Sequence, residues 1–254
     1  MKGLLRFELF KLRKRKSLYI CTAVMLGILL LSLLASYAIY ESMKEWMQEI
    51  GEDYSPSVIS YVLSATSSAN FTLIVGIFIA LYVCEDFGQK TVKNIYSRGF
   101  SRSGVYFSKL IICAAYVVIA FVIIELFTLA MGSALFGYRA EEGHIFALLL
   151  GQLLVCLAYA SFTFGIGFAV KKQGFVIAIS IIAPTVISLI LAIVDISIDK
   201  ENFRLSNYWL DGISINLANP LCEIIDIVLG CILPIAYSVL FLTAGFFLYR
   251  KSEV

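Results

Sequence analysis

The sequence predicts an all-α integral membrane protein with six transmembrane helices, and three observations support this fold class. The first is composition, since 60% of the 254 residues are hydrophobic and the mean hydropathy is +0.90. The second is a set of six nearly uncharged runs, each long enough for a bilayer crossing of roughly 20 residues. The third is the sorting of basic residues to one side of these runs. A water-soluble fold is excluded.

The six hydrophobic runs are numbered as spans 1 to 6. They cover residues 18–40, 58–84, 108–136, 145–170, 175–194 and 227–249. No internal repeat and no Pro- or Ser-rich linker divides the chain, so we expect one membrane domain over residues 1–254. Span 1 follows a basic start and resembles a secretory signal, but its run of about 23 residues exceeds the roughly 7 to 15 of a signal core.

Lysine and arginine in the loops predict the orientation. Seven lie before span 1, five after span 2, two after span 4 and two in the tail, which places sixteen of the twenty on one side. Basic residues resist translocation and accumulate on the cytoplasmic side. We therefore expect both termini in the cytoplasm, with Lys93 and Lys171 inside and Glu49 and Lys200 outside.

The segment before span 1 has the pattern of an amphipathic helix. Its apolar positions alternate with basic ones and are Leu4, Leu5, Phe7, Leu9, Phe10 and Leu12. Such a helix lies in the membrane interface, where its cationic side meets anionic lipid headgroups. Simple anchoring of span 1 by basic residues explains the same composition, and the pattern leaves both readings open.

The loop between spans 2 and 3, residues 85–108, is longer than a helix connection needs. Val92, Ile95 and Tyr96 fall at helical spacing among basic residues. Gly99 suits the left-handed position past a helix end, and Ser101 can cap the next helix. We expect a short cytoplasmic amphipathic helix whose apolar face packs either on the protein's own spans or on a partner. Periodicity favours neither.

Catalytic groupings are scarce in this sequence. His144 is the sole histidine, and no serine or cysteine nucleophile with a matching acid accompanies it. A nucleotide-binding Gly-x-x-x-x-Gly-Lys-Ser/Thr motif is missing. The six cysteines form no Cys-x-x-Cys pair, so neither a disulfide framework nor a metal site is indicated. We expect no catalytic residues and no metal ligands.

Glu125 is the one charged residue deep inside a span. A charge near the middle of a span costs at least ~2.5 kcal/mol unless it is paired, hydrated or protonated. The side chain must therefore face protein or water and not lipid. Two readings stay open, a functional group on a substrate or proton pathway and a hydrogen-bonded packing residue.

Span 4 contains a stripe of small residues. Ser161, Gly165 and Ala169 are spaced by four and share one helix face. Small side chains at this spacing allow another helix to approach closely. The stripe predicts tight helix packing more than a substrate path.

Two segments resemble parts of one transporter family. The start FELFKLRKRKS resembles the interfacial elbow helix, and the loop EDFGQKTVKNIYSRGFSRSGVYFSKLI resembles the cytoplasmic coupling region, of the permease subunit of an ABC-2 type transporter. The six spans, the cytoplasmic termini and the longer outer segment between spans 5 and 6 match this layout as well. Compact permeases of about this size resemble those of bacterial lantibiotic and peptide-antibiotic immunity systems.

The resemblance implies a bacterial cell-membrane permease that is not itself an enzyme. Two copies of a separate ATPase subunit would bind ATP and magnesium, and a second permease, identical or paralogous, would complete the exporter. Membrane lipid is expected as a partner and nucleic acid is not. The coupling helix would contact the ATPase through Val92, Lys93, Ile95, Tyr96, Arg98 and Arg102. Peptide antibiotics or other amphiphiles would leave the membrane on a route that includes Glu125.

Two other classes of protein remain at this stage. A secondary transporter or channel would use an intramembrane charge and broken helices, for which Glu125, Pro184 and Pro234 are candidates. It would not need the long basic amphipathic loop. A membrane enzyme would need clustered polar catalytic groups, and the sequence suggests none. Copurification with an ATPase separates the permease from both.

Overall fold

The computed structural model describes residues 2–50, 57–67, 69–89, 91–137, 144–198 and 204–251. Within these ranges the ordered elements are helices and no strand is present. Six helical segments of the described chain are long and apolar enough to cross a membrane. The predicted fold class, an all-α membrane protein with six spans, is confirmed.

Ten α-helices and one 3₁₀ helix make up the described chain. They are α1 (Lys2–Lys14), α2 (Lys16–Ile50), α3 (Val58–Ser67), α4 (Ala69–Gly88), α5 (Thr91–Ser97), α6 (Arg102–Phe136), α7 (Ile145–Val170), α8 (Gln173–Ile198), the 3₁₀ helix (Leu205–Tyr208), α9 (Leu210–Leu217) and α10 (Ile224–Lys251). Span 2 comprises α3 and α4, and Ser68 between them lies outside the described residues, as does Lys200. The end of the bundle formed by α1, the last turn of α4 and the first turn of α6 is called the α1 end.

The helices extend beyond the hydrophobic runs. Helix α2 has 35 residues, which at a rise of 1.5 Å per residue is about 52 Å. A hydrocarbon core is only about 30 Å thick, so the last turns of α2 project past it. Polar residues such as Glu41 and Lys44 continue the helix because their unbranched side chains are good helix formers.

Helix α7 lies inside the bundle and packs along α10. A Cβ atom added to Gly165 would lie 2.7 Å from the carbonyl oxygen of Phe241, and one added to Gly245 would lie 2.5 Å from the Cα of Gly165. The two backbones are therefore in direct contact, as small residues on facing helices allow. The close approach predicted from the stripe on span 4 is confirmed.

Three helices turn broad apolar faces outward. Large exposed side chains on α8 include Ile182, Leu189, Ile193 and Ile196, and those on α10 include Ile232, Val239, Leu240 and Phe247. Helix α2 has a similar face. Exposed apolar patches of this extent are foreign to soluble monomers and match lipid or another membrane helix.

At the end opposite α1, a short helix fills a gap between the spans. The carboxylate of Asp195 accepts hydrogen bonds from the backbone N–H groups of Leu205 (2.6 Å) and Ser206 (2.9 Å), which starts the 3₁₀ helix. Helix α9 follows and buries Leu210, Ile213 and Leu217. This helix contacts α3, α7 and α10, so it closes the bundle at this end.

Candidate functional site

The loop between spans 2 and 3 folds as its sequence predicts. Helix α5 occupies Thr91–Ser97, and Gly99 follows with a φ of +85°, a value that favours glycine. The Ser101 hydroxyl accepts a hydrogen bond from the N–H of Gly104 at 3.1 Å and caps α6. The short helix, its glycine stop and the serine cap are confirmed.

The predicted contact residues of this loop separate into two groups. Val92 is 1% exposed, and Tyr96 is half-buried with its hydroxyl against the hydroxyl of Tyr249 on α10. Burial raises the pKa of Tyr96. Ile95 and Arg98 instead line a groove at the α1 end. Arg102 is exposed and reaches the carbonyl of Arg250 at 3.5 Å, and the side chain of Lys93 lies outside the described part of the structure.

The groove lies between α1 and α5 and has a volume of about 790 Å³. Helix α1 contributes Phe7, Phe10 and Lys14, and α4 contributes Glu85 and Asp86 at its base. Both phenylalanines are more than half exposed. The ammonium of Lys14 lies 4.5 Å from the ring centroid of Phe10. The groove thus combines apolar walls with a basic rim.

A group of four charged residues, the ion cluster, joins α1 to the spans; three of them are buried and Lys11 is partly exposed. It consists of Glu8, Lys11, Asp86 and Lys109. Lys109 pairs with Asp86 and, at 3.5 Å, with Glu8, while Lys11 pairs with Asp86. Side-chain exposure is 0% for Glu8 and Lys109 and 1% for Asp86. Two carboxylates and two ammonium groups balance each other's charge, as buried charges require.

Tyr82 and Arg15 complete the surroundings of this cluster. The Tyr82 hydroxyl donates a hydrogen bond to Glu8 at 2.6 Å, and the Lys109 ammonium lies 4.6 Å from the Tyr82 ring centroid. Arg15 pairs with Glu85 at the edge. Burial, followed by the repulsion of Lys109, lowers the pKa of Lys11, and the hydrogen bond that Lys11 donates to Asp86 acts against both.

The ion cluster was missed by the sequence reasoning, which counted Lys109 among loop charges. One signal was present. Glu8 is the only acidic residue before span 1, and it lies four residues from both Leu4 and Leu12. All three share one helix face and are buried. An acid on the apolar stripe of a basic helix predicts a buried cationic partner.

Glu125 sits in a polar contact within the membrane-spanning region. The Thr66 hydroxyl of α3 lies 2.8 Å from Glu125 Oε1 and 2.9 Å from Gln152 Oε1 of α7. Gln152 Nε2 donates to the carbonyls of Leu63 (2.6 Å) and Leu217 (3.2 Å). Glu125 is 8% exposed, so it faces protein, as its desolvation cost requires.

A cavity of about 260 Å³ lies between spans 1, 2 and 3. Ile124 and Thr128, from the helix of Glu125, are part of its lining, and Glu125 is not. Ser32 and Ser36 of α2 and Asn70 of α4 add polar groups to walls that are otherwise apolar. The cavity suits an apolar chain that carries a hydrogen-bonding group.

Thr66→Val should destabilise the protein more than Glu125→Gln. Valine keeps the shape but leaves the oxygens of Glu125 and Gln152 without their shared donor, at a cost of about 1 to 3 kcal/mol. Glutamine can still bond to Thr66. Thermal unfolding in detergent measures the difference, and Thr185→Val is the control because the Thr185 hydroxyl is exposed and bonds only within α8. Equal unfolding temperatures for the two Thr→Val variants would contradict the role of Thr66.

A protein-family model matches most of the chain. Residues 4–199 match the family model described as ABC-2 family transporter protein. The matched region includes α1 from Leu4 onward, most of the groove lining, the ion cluster and Glu125. None of the curated proteins compared with the chain matches it.

Proposed function

The chain belongs to the ABC-2 transporter family, and from this premise we propose that it is the membrane-spanning permease subunit of an ATP-driven exporter. The family match over residues 4–199 is the observation that carries the proposal. Two copies of a separate ATPase would supply ATP and magnesium chemistry. A second permease, identical or paralogous, would complete the assembly, and the exposed apolar faces of α2, α8 and α10 are available to it and to lipid.

In this proposal α5 is the coupling helix and α1 the elbow helix. Burial of Val92 and Tyr96 supports a role for these two in seating α5 on the permease itself. Ile95 and Arg98 face the groove, where an ATPase segment can reach them. We therefore assign the ATPase contact mainly to Ile95 and Arg98, and keep Lys93 and Arg102 as further proposed contacts.

Ile95→Ala is expected to weaken ATPase association roughly 10- to 100-fold, since burying a large apolar side chain contributes about 1.5 to 3 kcal/mol. Arg98→Glu should have a smaller, salt-dependent effect because charge at a rim governs orientation and encounter. The measurement is copurification with the ATPase and its hydrolysis rate. Ile119→Ala, an exposed isoleucine on α6, is the matched control. Normal association and coupling in an Ile95→Ala, Tyr96→Ala double variant would sink the coupling role.

The substrate we propose is an amphiphile of the peptide-antibiotic class, carried out of a bacterial membrane. Support comes from the cavity between spans 1, 2 and 3, whose walls mix apolar groups with Ser32, Ser36 and Asn70. Glu125, one helix turn from this cavity's Thr128, would lie beside the route. Cells that express the permease with its ATPase should tolerate a lantibiotic better than cells expressing either alone. No difference in tolerance would reject this substrate class.

The proposed topology places the α1 end in the cytoplasm. Cysteines introduced at Glu49 and Lys200 should react with an impermeant thiol reagent in intact cells. Both positions belong to the side of the membrane that is poor in basic residues, which is the outer side. Cysteines at Lys93 and Lys171 should react only after permeabilisation. The unsubstituted chain gives the background from its own six cysteines. Labelling at position 93 in intact cells would overturn the orientation.

A further inference from the structure

Asp86, on α4, contacts three other helices. It lies two residues before the end of α4 and is 1% exposed. Its carboxylate pairs with Lys11 of α1 and with Lys109 of α6. The hydroxyl of Thr91, the first residue of α5, lies 3.1 Å from Asp86 Oδ1 and 3.2 Å from the Asp86 carbonyl oxygen. One carboxylate therefore contacts α1, α5 and α6.

Further contacts lead from Asp86 back to α4 and form a closed ring. Lys109 also pairs with Glu8 of α1 at 3.5 Å, and Glu8 accepts a hydrogen bond from Tyr82 of α4. Helices α1, α4 and α6 are thus held to one another by charges that cannot separate without being left buried and unpaired. They form one unit, connected by ion pairs, at the α1 end, and Thr91 connects α5 to it.

The path from α5 to this unit is short. Only Gln89 and Lys90 lie between α4 and α5, and the N–H of Gln89 still bonds to the carbonyl of Glu85 at 2.9 Å. Because this connection is so short, a movement of α5 would stretch the Thr91 contact. By contrast, the charge of Asp86 is already balanced by Lys11 and Lys109, so the Thr91 contact is not needed to satisfy that carboxylate.

We infer that Asp86 is the positioning residue through which the location of α5 is passed to span 3 and to α1. The inference rests on the proposed function, because it assumes that an ATPase moves α5. Within that function it names the route of the movement. The Thr91 hydroxyl transmits it to Oδ1 of Asp86, and the pairs with Lys109 and Lys11 distribute it to α6 and α1.

Thr91→Val tests this route with the least damage, since it removes one hydroxyl and leaves the ion cluster intact. Nitroxide labels carried by unnatural amino acids at Ile119 on α6 and Leu189 on α8 report the relative position of two spans; both sites are exposed. The permease with its ATPase is measured in lipid vesicles, first without nucleotide and then trapped with ATP, magnesium and vanadate. Thr91→Ser is the matched control because it restores the hydroxyl.

In the wild type, trapping should change the distance between the labels. In Thr91→Val the trapped population should fall roughly fivefold, the effect of losing about one ordinary hydrogen bond, while the ATPase stays bound and hydrolyses ATP. Thr91→Ser should behave as the wild type. Wild-type behaviour of Thr91→Val, or no distance change in the wild type, would overturn the inference alone. Failure of any ATPase to copurify with the wild type would overturn the proposed function.

Discussion

Gly245→Val is expected to leave little correctly folded protein. The first carbon of the new side chain would lie 2.5 Å from the Cα of Gly165 and 3.1 Å from its carbonyl oxygen. Both are backbone atoms of α7, so no side chain can turn aside to make room. Overpacking costs typically about 1 to 3 kcal/mol and more where the surroundings cannot yield. We expect the upper end of this range, because the two helices must separate along their contact.

Thermal unfolding and size-exclusion profiles in detergent measure this effect. Gly27→Val is the matched control, since Gly27 lies within span 1 and an added Cβ would meet nothing within 4 Å. Gly165→Ala should also destabilise the protein, because its Cβ would lie 2.7 Å from the carbonyl oxygen of Phe241. If Gly245→Val and Gly27→Val unfold at the same temperature, α7 and α10 are not in backbone contact.

Lys109→Met should lower the free energy of unfolding by about 3 to 5 kcal/mol, the usual cost of removing one partner from a buried ion pair. Methionine fills a similar volume but leaves Lys11 as the one cation of the ion cluster, and Lys11 pairs with Asp86. Lys251→Met is the control, since Lys251 is an exposed lysine at the same end of the bundle. Chemical denaturation in mixed micelles provides the measurement.

A double variant separates charge imbalance from lost packing. Glu8→Gln combined with Lys109→Met removes one charge of each sign, so the loss should be smaller than the sum of the two single losses. Strict additivity would mean that Glu8 and Lys109 do not interact, and would remove this pair as a link between α1 and α6.

The features predicted well from the sequence are those that depend only on residues close together in the chain. Hydrophobic runs gave the spans, and Gly99 and Ser101 marked the ends of α5 and the start of α6, because helix termination and capping depend on neighbours a few residues away. The small-residue face of span 4 predicted a close helix contact. It did not identify Gly245 as the partner, since that pairing joins residues 80 positions apart.

The ion cluster and α9 depend on contacts that hydropathy does not register. Lys11 and Asp86 are 75 residues apart in sequence. Hydropathy averaged over a short stretch of sequence therefore treats each of them as an unpaired charge. Helix α9 has eight residues, too few for a clear period. The sequence indicated a short helix at α5, but it could not show that Ile95 lines the groove while Val92 and Tyr96 pack on the protein's own spans, because that division is a property of the tertiary structure.

The number of available hydrogens decides which group donates in the contact between Thr66 and Glu125. Both hydrogens of the Gln152 amide are directed at carbonyls, so its oxygen Oε1, which can only accept, is the atom that faces Thr66. The Thr66 hydroxyl has one hydrogen and two acceptor oxygens within reach. When Glu125 carries a proton, it can donate to Thr66, which donates to Gln152. All three side chains then have a hydrogen bond. When Glu125 is ionised, it competes with Gln152 for one hydrogen, and the link between α6 and α7 loses a bond. The charge state of one carboxyl group therefore decides how many hydrogen bonds join spans 2, 3 and 4, while the bond from Gln152 to the carbonyl of Leu63 holds spans 2 and 4 together in either state.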